Sequence, residues 1–297
     1  MEEGKPSQTA IISAMTRASH LYLDGEPKVF IDEFALPFSD RQSRTDVIEA
    51  LNKLRDQVAE HSTVEFADAL LKLNRANICL RQRYAEDEFE KAFTRGTRQF
   101  VSMGAGLTSF AYRRTDLAAK GVQVFEVDFP ATQQWKTDLI GKLNIYVPGN
   151  LSLVPVDFQK EALGEKLKDA GYQIDKPGFF SWLGVTMYLT SEAVADTLSY
   201  IAGGSDGTEV VFQYYLKPSL LSEENRAFLE VYKSMSQTMK EPWVNFYDPA
   251  ELEDHVKALG FTEVEDFTSA AANERYFSNR LDGLQDAGLS HHMKARV

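Results

Sequence analysis

Apolar residues follow two different rhythms along this chain. From Val64 they fall at Ala67, Leu70, Leu71, Leu73, Ile78 and Leu80, close to a 3.6-residue period, which predicts an amphipathic helix packing on something larger. Beyond residue 98 the rhythm changes to short apolar runs at 99–103, 122–127, 151–156, 178–183, 208–213 and 261–267. Helical segments around 109–119, 131–143, 159–170, 191–202 and 249–259 separate them. Alternation of this kind predicts an α/β fold, a doubly wound, mostly parallel sheet with helices on both faces. The last helix carries its own signals: Asp248 as N-cap, Pro249 at the first helical position, Glu251 to complete a capping box, and Gly260 as the stop. Residues 1–98 read as mostly helical, with short helices and turns over Ile11–Phe38, where Gly25, Pro27 and Pro37 punctuate the pattern.

No internal repeat or interdomain linker is visible, so the pattern predicts a single domain. Residues 1–98 form a helical N-terminal cap continuous with a core at 99–297. The segment 214–247 is longer than an ordinary crossover and holds Tyr214, Tyr215, Phe228, Tyr232, Trp243, Phe246 and Tyr247. Insertions of that kind build pockets or lids.

Composition narrows the chemistry. A chain of 297 residues with 43% hydrophobic content can bury a large core. Its net charge of −12 opposes attraction to phosphodiesters and anionic lipid, which predicts no nucleic-acid partner and no membrane association. The single cysteine, Cys79, suits a reducing compartment, and the absence of a signal-peptide pattern or an 18-residue apolar run predicts a cytoplasmic protein. Five scattered histidines show no metal-ligand spacing, so no metal is expected.

The most informative stretch joins the first two strands. The apolar run 99–103 leads into Gly104-Ala105-Gly106, where glycines let the backbone turn and a ligand approach, and Glu126 lies 22 residues past Gly104. A doubly wound fold places its ribose-binding acid there. Ser109 occupies the third glycine position of a dinucleotide fingerprint, which disfavours a nicotinamide-dependent oxidoreductase and favours a smaller adenosyl ligand. Residues just past each strand would meet that ligand: the glycine turn, Glu126 and Asp128, then Asp157-Phe158, then Leu183 to Tyr188. Taken singly, each has a plainer reading, as a turn, a solvated strand end, or a helix cap at Asp157. Together they describe an adenosine pocket.

The residues also resemble a known family. Thr16-Arg-Ala, Arg81-Gln-Arg-Tyr, Gly104-Ala-Gly-Leu with Phe110-Ala-Tyr-Arg113, Phe125-Glu-Val-Asp-Phe-Pro130, Val156-Asp-Phe and Trp182-Leu-Gly-Val-Thr-Met-Tyr-Leu-Thr190 are similar to the leucine carboxyl methyltransferase-like family, as are Glu241-Pro-Trp243, Gly260-Phe261 and Arg275-Tyr-Phe-x-x-Arg280-x-Asp-Gly283. That family includes tetracenomycin-type polyketide carboxyl O-methyltransferases. The resemblance implies a class I methyltransferase, Rossmann-like, with a seven-stranded sheet and a helical insertion after strand five. It implies S-adenosyl-L-methionine as methyl donor and S-adenosyl-L-homocysteine as product. By the same resemblance Arg81 binds the methionine carboxylate, Gly104, Ala105, Gly106 and Leu183 line the donor, Asp128 and Glu126 hold the ribose, and Asp157 with Phe158 hold adenine. Thr108 stands where the family usually has Asp, and Leu183 stands where some relatives have Glu.

Methyl transfer from a sulfonium is an in-line displacement that needs alignment above all. A carboxylate acceptor is already anionic at neutral pH and needs no general base, consistent with the lack of an evident catalytic dyad. The expected acceptor is a small-molecule or polyketide-type acid, bound by Tyr214, Tyr215 and Trp243 and the N-terminal helices, in a monomer or homodimer. A hydroxyl acceptor would need a base, for which His20, His61 and Tyr188 are the candidates. A protein C-terminal carboxylate, or a non-methylating role for the pocket, are the other readings.

Overall fold

Seven strands make one sheet in the computed structural model, which describes residues 7–157 and 161–297. They are β1 (Gln99–Met103), β2 (Gln123–Asp128), β3 (Leu151–Pro155), β4 (Gly178–Trp182), β5 (Glu209–Tyr215), β6 (Glu263–Phe267) and β7 (Ser290–Arg296), in the spatial order β3-β2-β1-β4-β5-β7-β6. The first five run parallel, and β7 runs antiparallel to both β5 and β6. Gln99 pairs with Gln123 on one side and Gly178 on the other, so the carboxyl ends of β1, β2 and β4 lie level along one sheet edge. The order reverses between β1 and β4, and ligands of open α/β sheets bind outside the strand ends at such a switch point.

Side-chain alternation sorts the strands into two cores. Val101, Met103, Phe125, Phe180, Trp182, Val210 and Phe212 share one apolar cluster, while Phe100, Val124, Phe179 and Val211 belong to the other. Both faces are therefore covered, which is why the strands read as continuous apolar runs. Flanking helices follow the strands: α5 (Phe110–Arg113), α6 (Asp116–Ala119), α7 (Pro130–Lys142), α8 (Leu163–Asp169), α9 (Ser191–Ala202), α10 (Glu223–Thr238) and α11 (Pro249–Ala258). Before β1 come α1 (Gln8–Leu23), α2 (Ala35–Phe38), α3 (Arg44–Ala59) and α4 (Val64–Thr94). Ala67 and Leu70 of α4 join the first cluster and Cys79, Tyr84 and Phe89 the second, so this long helix reaches into both cores. Among the described residues no helix is long and apolar enough to cross a membrane.

Several elements differ from the sequence pattern. A continuous 16-residue helix, α1, replaces the short helices expected from Ile11, because its buried side includes Thr16, Arg17, Ser19 and His20 and so shows no apolar stripe. The helix expected at 109–119 breaks into α5 and α6. Strand β5 runs to Tyr215, two residues past the expected end, and β7 was absent from the pattern because its sequence, Ser-His-His-Met-Lys-Ala-Arg, is mostly polar. Asp248 caps α11 through Ala250 and Glu251 N–H groups, but the Glu251 carboxylate pairs with Lys217 instead of closing a capping box. The full capping box lies at Ser43 and Asp46, at the start of α3.

Candidate functional site

The glycine turn is forced by its surroundings. The Ala105 N–H donates to the carbonyl of Val127 at 3.0 Å and Thr108 N–H closes back on Ala105 O at 2.9 Å, folding residues 104–108 against the end of β2. Gly104 and Gly106 have φ of 63° and 49°. A Cβ on Gly104 would lie 2.2 Å from Val185 Cγ2, and one on Gly106 would lie 3.2 Å from Ala10 Cβ in α1. Both conformation and space therefore demand glycine.

Two buried cations clamp the turn, and one of them, Arg17, also lines the cavity described below. Arg17 on α1 donates from Nη2 to Leu107 O at 2.6 Å and from Nε to Asp32 at 2.7 Å. Lys136 on α7 donates to Thr108 O at 2.8 Å and to the Glu126 carboxylate at 2.5 Å. Thr16-Arg17 belonged to the motif set, but nothing in the sequence marks Lys136. Glu126 is thereby corrected: it was expected on the ribose, yet it lies on β2 beneath α7, 1% exposed, as the counter-ion of Lys136. Burial pushes its carboxyl up and the Lys136 ammonium opposes that shift.

Asp128, two residues further, lines the cavity. One carboxylate oxygen accepts from Gly106 N–H and the other from Phe129 N–H at 2.6 Å. Burial outweighs these two donors and pushes its carboxyl up to about 6. At this point a cavity of about 590 Å³ opens, within the size range of small-molecule sites. Arg81, Gly104, Ala105, Gly106, Asp128, Asp157 and Leu183 all line it. Phe158 lies outside the described residues.

Arg81 has an unusual environment for a buried guanidinium. Its Nη1 donates to Gln213 Oε1 and its Nη2 to Ser13 Oγ, each at 3.3 Å, and its Nε has no hydrogen-bond partner. Among the described residues no carboxylate pairs with it, and burial pushes its pKa down. A buried cation with spare donors fits an anionic ligand group such as an amino-acid carboxylate. Beside it, the adenosine-type acids and the open glycine turn fit the rest of an S-adenosyl-L-methionine molecule.

The other end of the cavity is apolar and aromatic. Tyr188, Tyr215, Tyr232 and Trp243 meet there, with Tyr215 and Trp243 ring centroids 4.4 Å apart and Tyr232 stacked on Trp243 at 5.8 Å. Leu70, Leu71 and Ile78 of α4 and Met235 and Met239 at the end of α10 complete the wall. Tyr214, expected here with Tyr215, is not part of it. Because β5 extends through both residues, they point to opposite faces, and the Tyr214 hydroxyl donates instead to Asp266 at 2.8 Å. Sequence reasoning missed Glu241 in this role, although it opens the Glu-Pro-Trp motif. Its Oε2 accepts from Thr9 Oγ at 2.6 Å and Ser7 Oγ at 3.3 Å, joining the start of α1 to the turn after α10.

Neither candidate histidine lies at the cavity. His20 is buried, its Nε2 accepting from Val29 N–H at 3.1 Å, so the proton resides on Nδ1 and goes to Asp24 at 2.8 Å. His61 is exposed. Tyr188 does line the cavity, but burial pushes its phenol above the ordinary value.

Fold and site define a class I, S-adenosyl-L-methionine-dependent methyltransferase. The family model of leucine carboxyl methyltransferase matches residues 10–202, and the chain belongs to this family. Over 304 aligned residues it is 29% identical to YktD of Bacillus subtilis, covering 99% of both chains; that relative bears a provisional name as an S-adenosyl-L-methionine-dependent methyltransferase. A Mycolicibacterium paratuberculosis protein of the same provisional name is 32% identical over 62% of this chain and 58% of its own. Among solved structures, a Thermobifida fusca protein provisionally described as a methyltransferase superposes with a TM-score of 0.57 at 16% identity, covering 99% of this chain and 96% of the other. A DUF574 family protein from Streptomyces avermitilis gives 0.53 at 17% identity, over 80% and 90%.

Proposed function

We propose that the enzyme methylates the carboxylate of an apolar small-molecule or polyketide-type acid, in the cytoplasm. The observation that carries this reading is the acceptor end of the cavity. It is walled by aromatic, leucine and methionine side chains, includes no histidine, and has three phenols, Tyr188, Tyr215 and Tyr232, all pushed up by burial. Such a wall binds an apolar body and supplies no neutral-pH base among these groups, which an ionised carboxylate does not need.

When bound, S-adenosyl-L-methionine supplies an electrophilic methyl on a sulfonium. The chain's own residues position the reactants. Arg81 takes the carboxylate of the donor's amino-acid end, Asp128 accepts from the ribose hydroxyls, and Asp157 lies at the adenine end. Tyr215 and Trp243 present aromatic faces to the acceptor and favour positive charge nearby. With the donor fixed along the sheet edge, alignment and exclusion of water supply the acceleration.

Glu241 favours one second reading, a hydroxyl acceptor, because it brings a carboxylate to the same end of the cavity. One experiment separates them. The enzyme is incubated with isotopically labelled donor and a panel of aryl and alkyl acids and phenols, and products are identified by mass spectrometry. A labelled product cleaved by mild base is an ester and supports the carboxylate reading. A base-stable ether overturns it in favour of the hydroxyl.

A further inference from the structure

We propose that Gln213 is a positioning residue for the methyl donor, acting through Arg81. This rests on the reading of Arg81 as the group that receives the donor's carboxylate. Gln213 sits on β5, 1% exposed, and has no room for ambiguity in its amide. Arginine has donors only, so the atom facing Arg81 Nη1 at 3.3 Å must be the amide oxygen. The amide nitrogen then donates twice, to Asn77 Oδ1 at 3.0 Å and Ser290 Oγ at 2.9 Å. Asn77 Nδ2 in turn donates to Ser290 Oγ at 2.8 Å, which closes a ring of three side chains from α4, β5 and β7. The backbone of Gln213 is held as well, since its carbonyl accepts from Thr186 Oγ at 2.7 Å.

Gly184 also packs against the guanidinium: its φ is 69° and its absent Cβ would lie 2.3 Å from Arg81 Nη1. Among the described residues Arg81 is therefore held by a close glycine backbone and by neutral acceptors alone, Gln213 Oε1 on Nη1 and Ser13 Oγ on Nη2. A neutral acceptor matters: it orients the fork without neutralising it, so the full positive charge remains for an anion in the cavity. A carboxylate at position 213 would compete with the ligand for the same charge. Gln213 and Ser290 are buried and Asn77 half-buried, and the closed ring they form is the kind of polar network that fixes a geometry.

The test compares two ligands that share the adenosine and differ in the amino-acid end: S-adenosyl-L-homocysteine, which has the carboxylate, and 5′-methylthioadenosine, which lacks it. Binding is measured by calorimetry on the full chain for wild type, Gln213→Met, Ser290→Ala and Arg81→Met. Arg81→Met is expected to weaken S-adenosyl-L-homocysteine selectively; if it weakens both ligands equally, the reading of Arg81 fails and the inference falls with it. Gln213→Met is expected to weaken S-adenosyl-L-homocysteine about tenfold, the scale of one charge-assisted hydrogen bond. 5′-Methylthioadenosine should stay within about twofold of wild type, and donor KM should rise with kcat little changed. Equal weakening of both ligands, or no weakening of either, overturns the role of Gln213 while leaving Arg81 intact. Ser290→Ala, which removes only one anchor of the amide, should show the same selectivity more weakly and serves if Gln213→Met does not fold.

Discussion

Arg17 Nη2 lies 2.6 Å from the carbonyl oxygen of Leu107, so helix α1 and the glycine turn are joined by a hydrogen bond from a buried, charged side chain. The same guanidinium pairs with Asp32 at 2.7 Å, and both side chains are almost fully buried. Replacing Arg17 with Met should leave Asp32 without its close partner and free the turn. The expected loss of stability is about 3 kcal/mol, the scale for breaking a buried ion pair from one side. Thermal or urea unfolding measures it, and donor affinity should fall in parallel; a stable variant with normal affinity would show the link to be dispensable.

Gly104→Ala should abolish donor binding more thoroughly than its single added carbon suggests. The new Cβ would meet Val185 Cγ2 at 2.2 Å while the residue is held at positive φ. Strain at such a position costs of order 1–3 kcal/mol before any repacking. Trimming the obstacle tests the cause: in Gly104→Ala with Val185→Ala, the steric part should be relieved and the conformational part should persist.

Asp128 predicts a pH dependence with opposite signs for binding and folding. Burial holds its carboxyl at about 6 in the free protein, above its ordinary 3.8, so the folded state keeps the proton more tightly than the unfolded chain. This group therefore adds stability as pH falls from 6 toward 4. In its proposed role Asp128 would accept from the ribose hydroxyls in its charged form, which would lower its pKa on binding, so affinity should be full above pH 6 and decline below it by up to about tenfold per pH unit. Calorimetry of S-adenosyl-L-homocysteine from pH 5 to 8 measures the binding limb, and Asp128→Asn should flatten it.

Tyr188→Phe should retain most of the catalytic rate with a carboxylic acid acceptor. Its phenol is pushed up by burial and would hold its proton at neutral pH. A loss within about threefold is expected, less than the 10²-fold or more attributed to a general base. A collapse of kcat with KM unchanged would restore the tyrosine as a catalytic group.

The strands most directly legible in the sequence were those buried on both faces, although the half-exposed β3 and β6 were also expected, at 151–156 and 261–267. β1, β4 and β5 are completely buried and read as strands at once. β7 shares the same sheet, but its two histidines, Lys294 and Arg296 mask it, and only the pairing with β5 and β6 reveals it. In the site, Gly104 and Asp128 were legible because a turn and a strand end each leave a local mark. Glu126 misled because spacing counts residues along the chain, whereas α7, which delivers Lys136, decides which carboxylate is covered. Tyr214 misled through strand length: a loop would have let both tyrosines face the cavity, and a strand allows one. Gln213 and Lys136 act across the fold on atoms far away in sequence, so no local pattern announces them.

The clamp beneath the glycine turn has a consequence for ionic strength. Each of its cations is neutralised by a carboxylate within the protein, Arg17 by Asp32 and Lys136 by Glu126, and all four side chains are almost fully buried. Debye screening weakens exposed charges and leaves such enclosed pairs nearly untouched. The turn should keep its shape from dilute buffer to molar salt. An anionic acceptor, by contrast, must approach a protein of net charge −12, and added salt shields that repulsion. Rising ionic strength is therefore expected to speed the acid's arrival while the donor's seat stays the same.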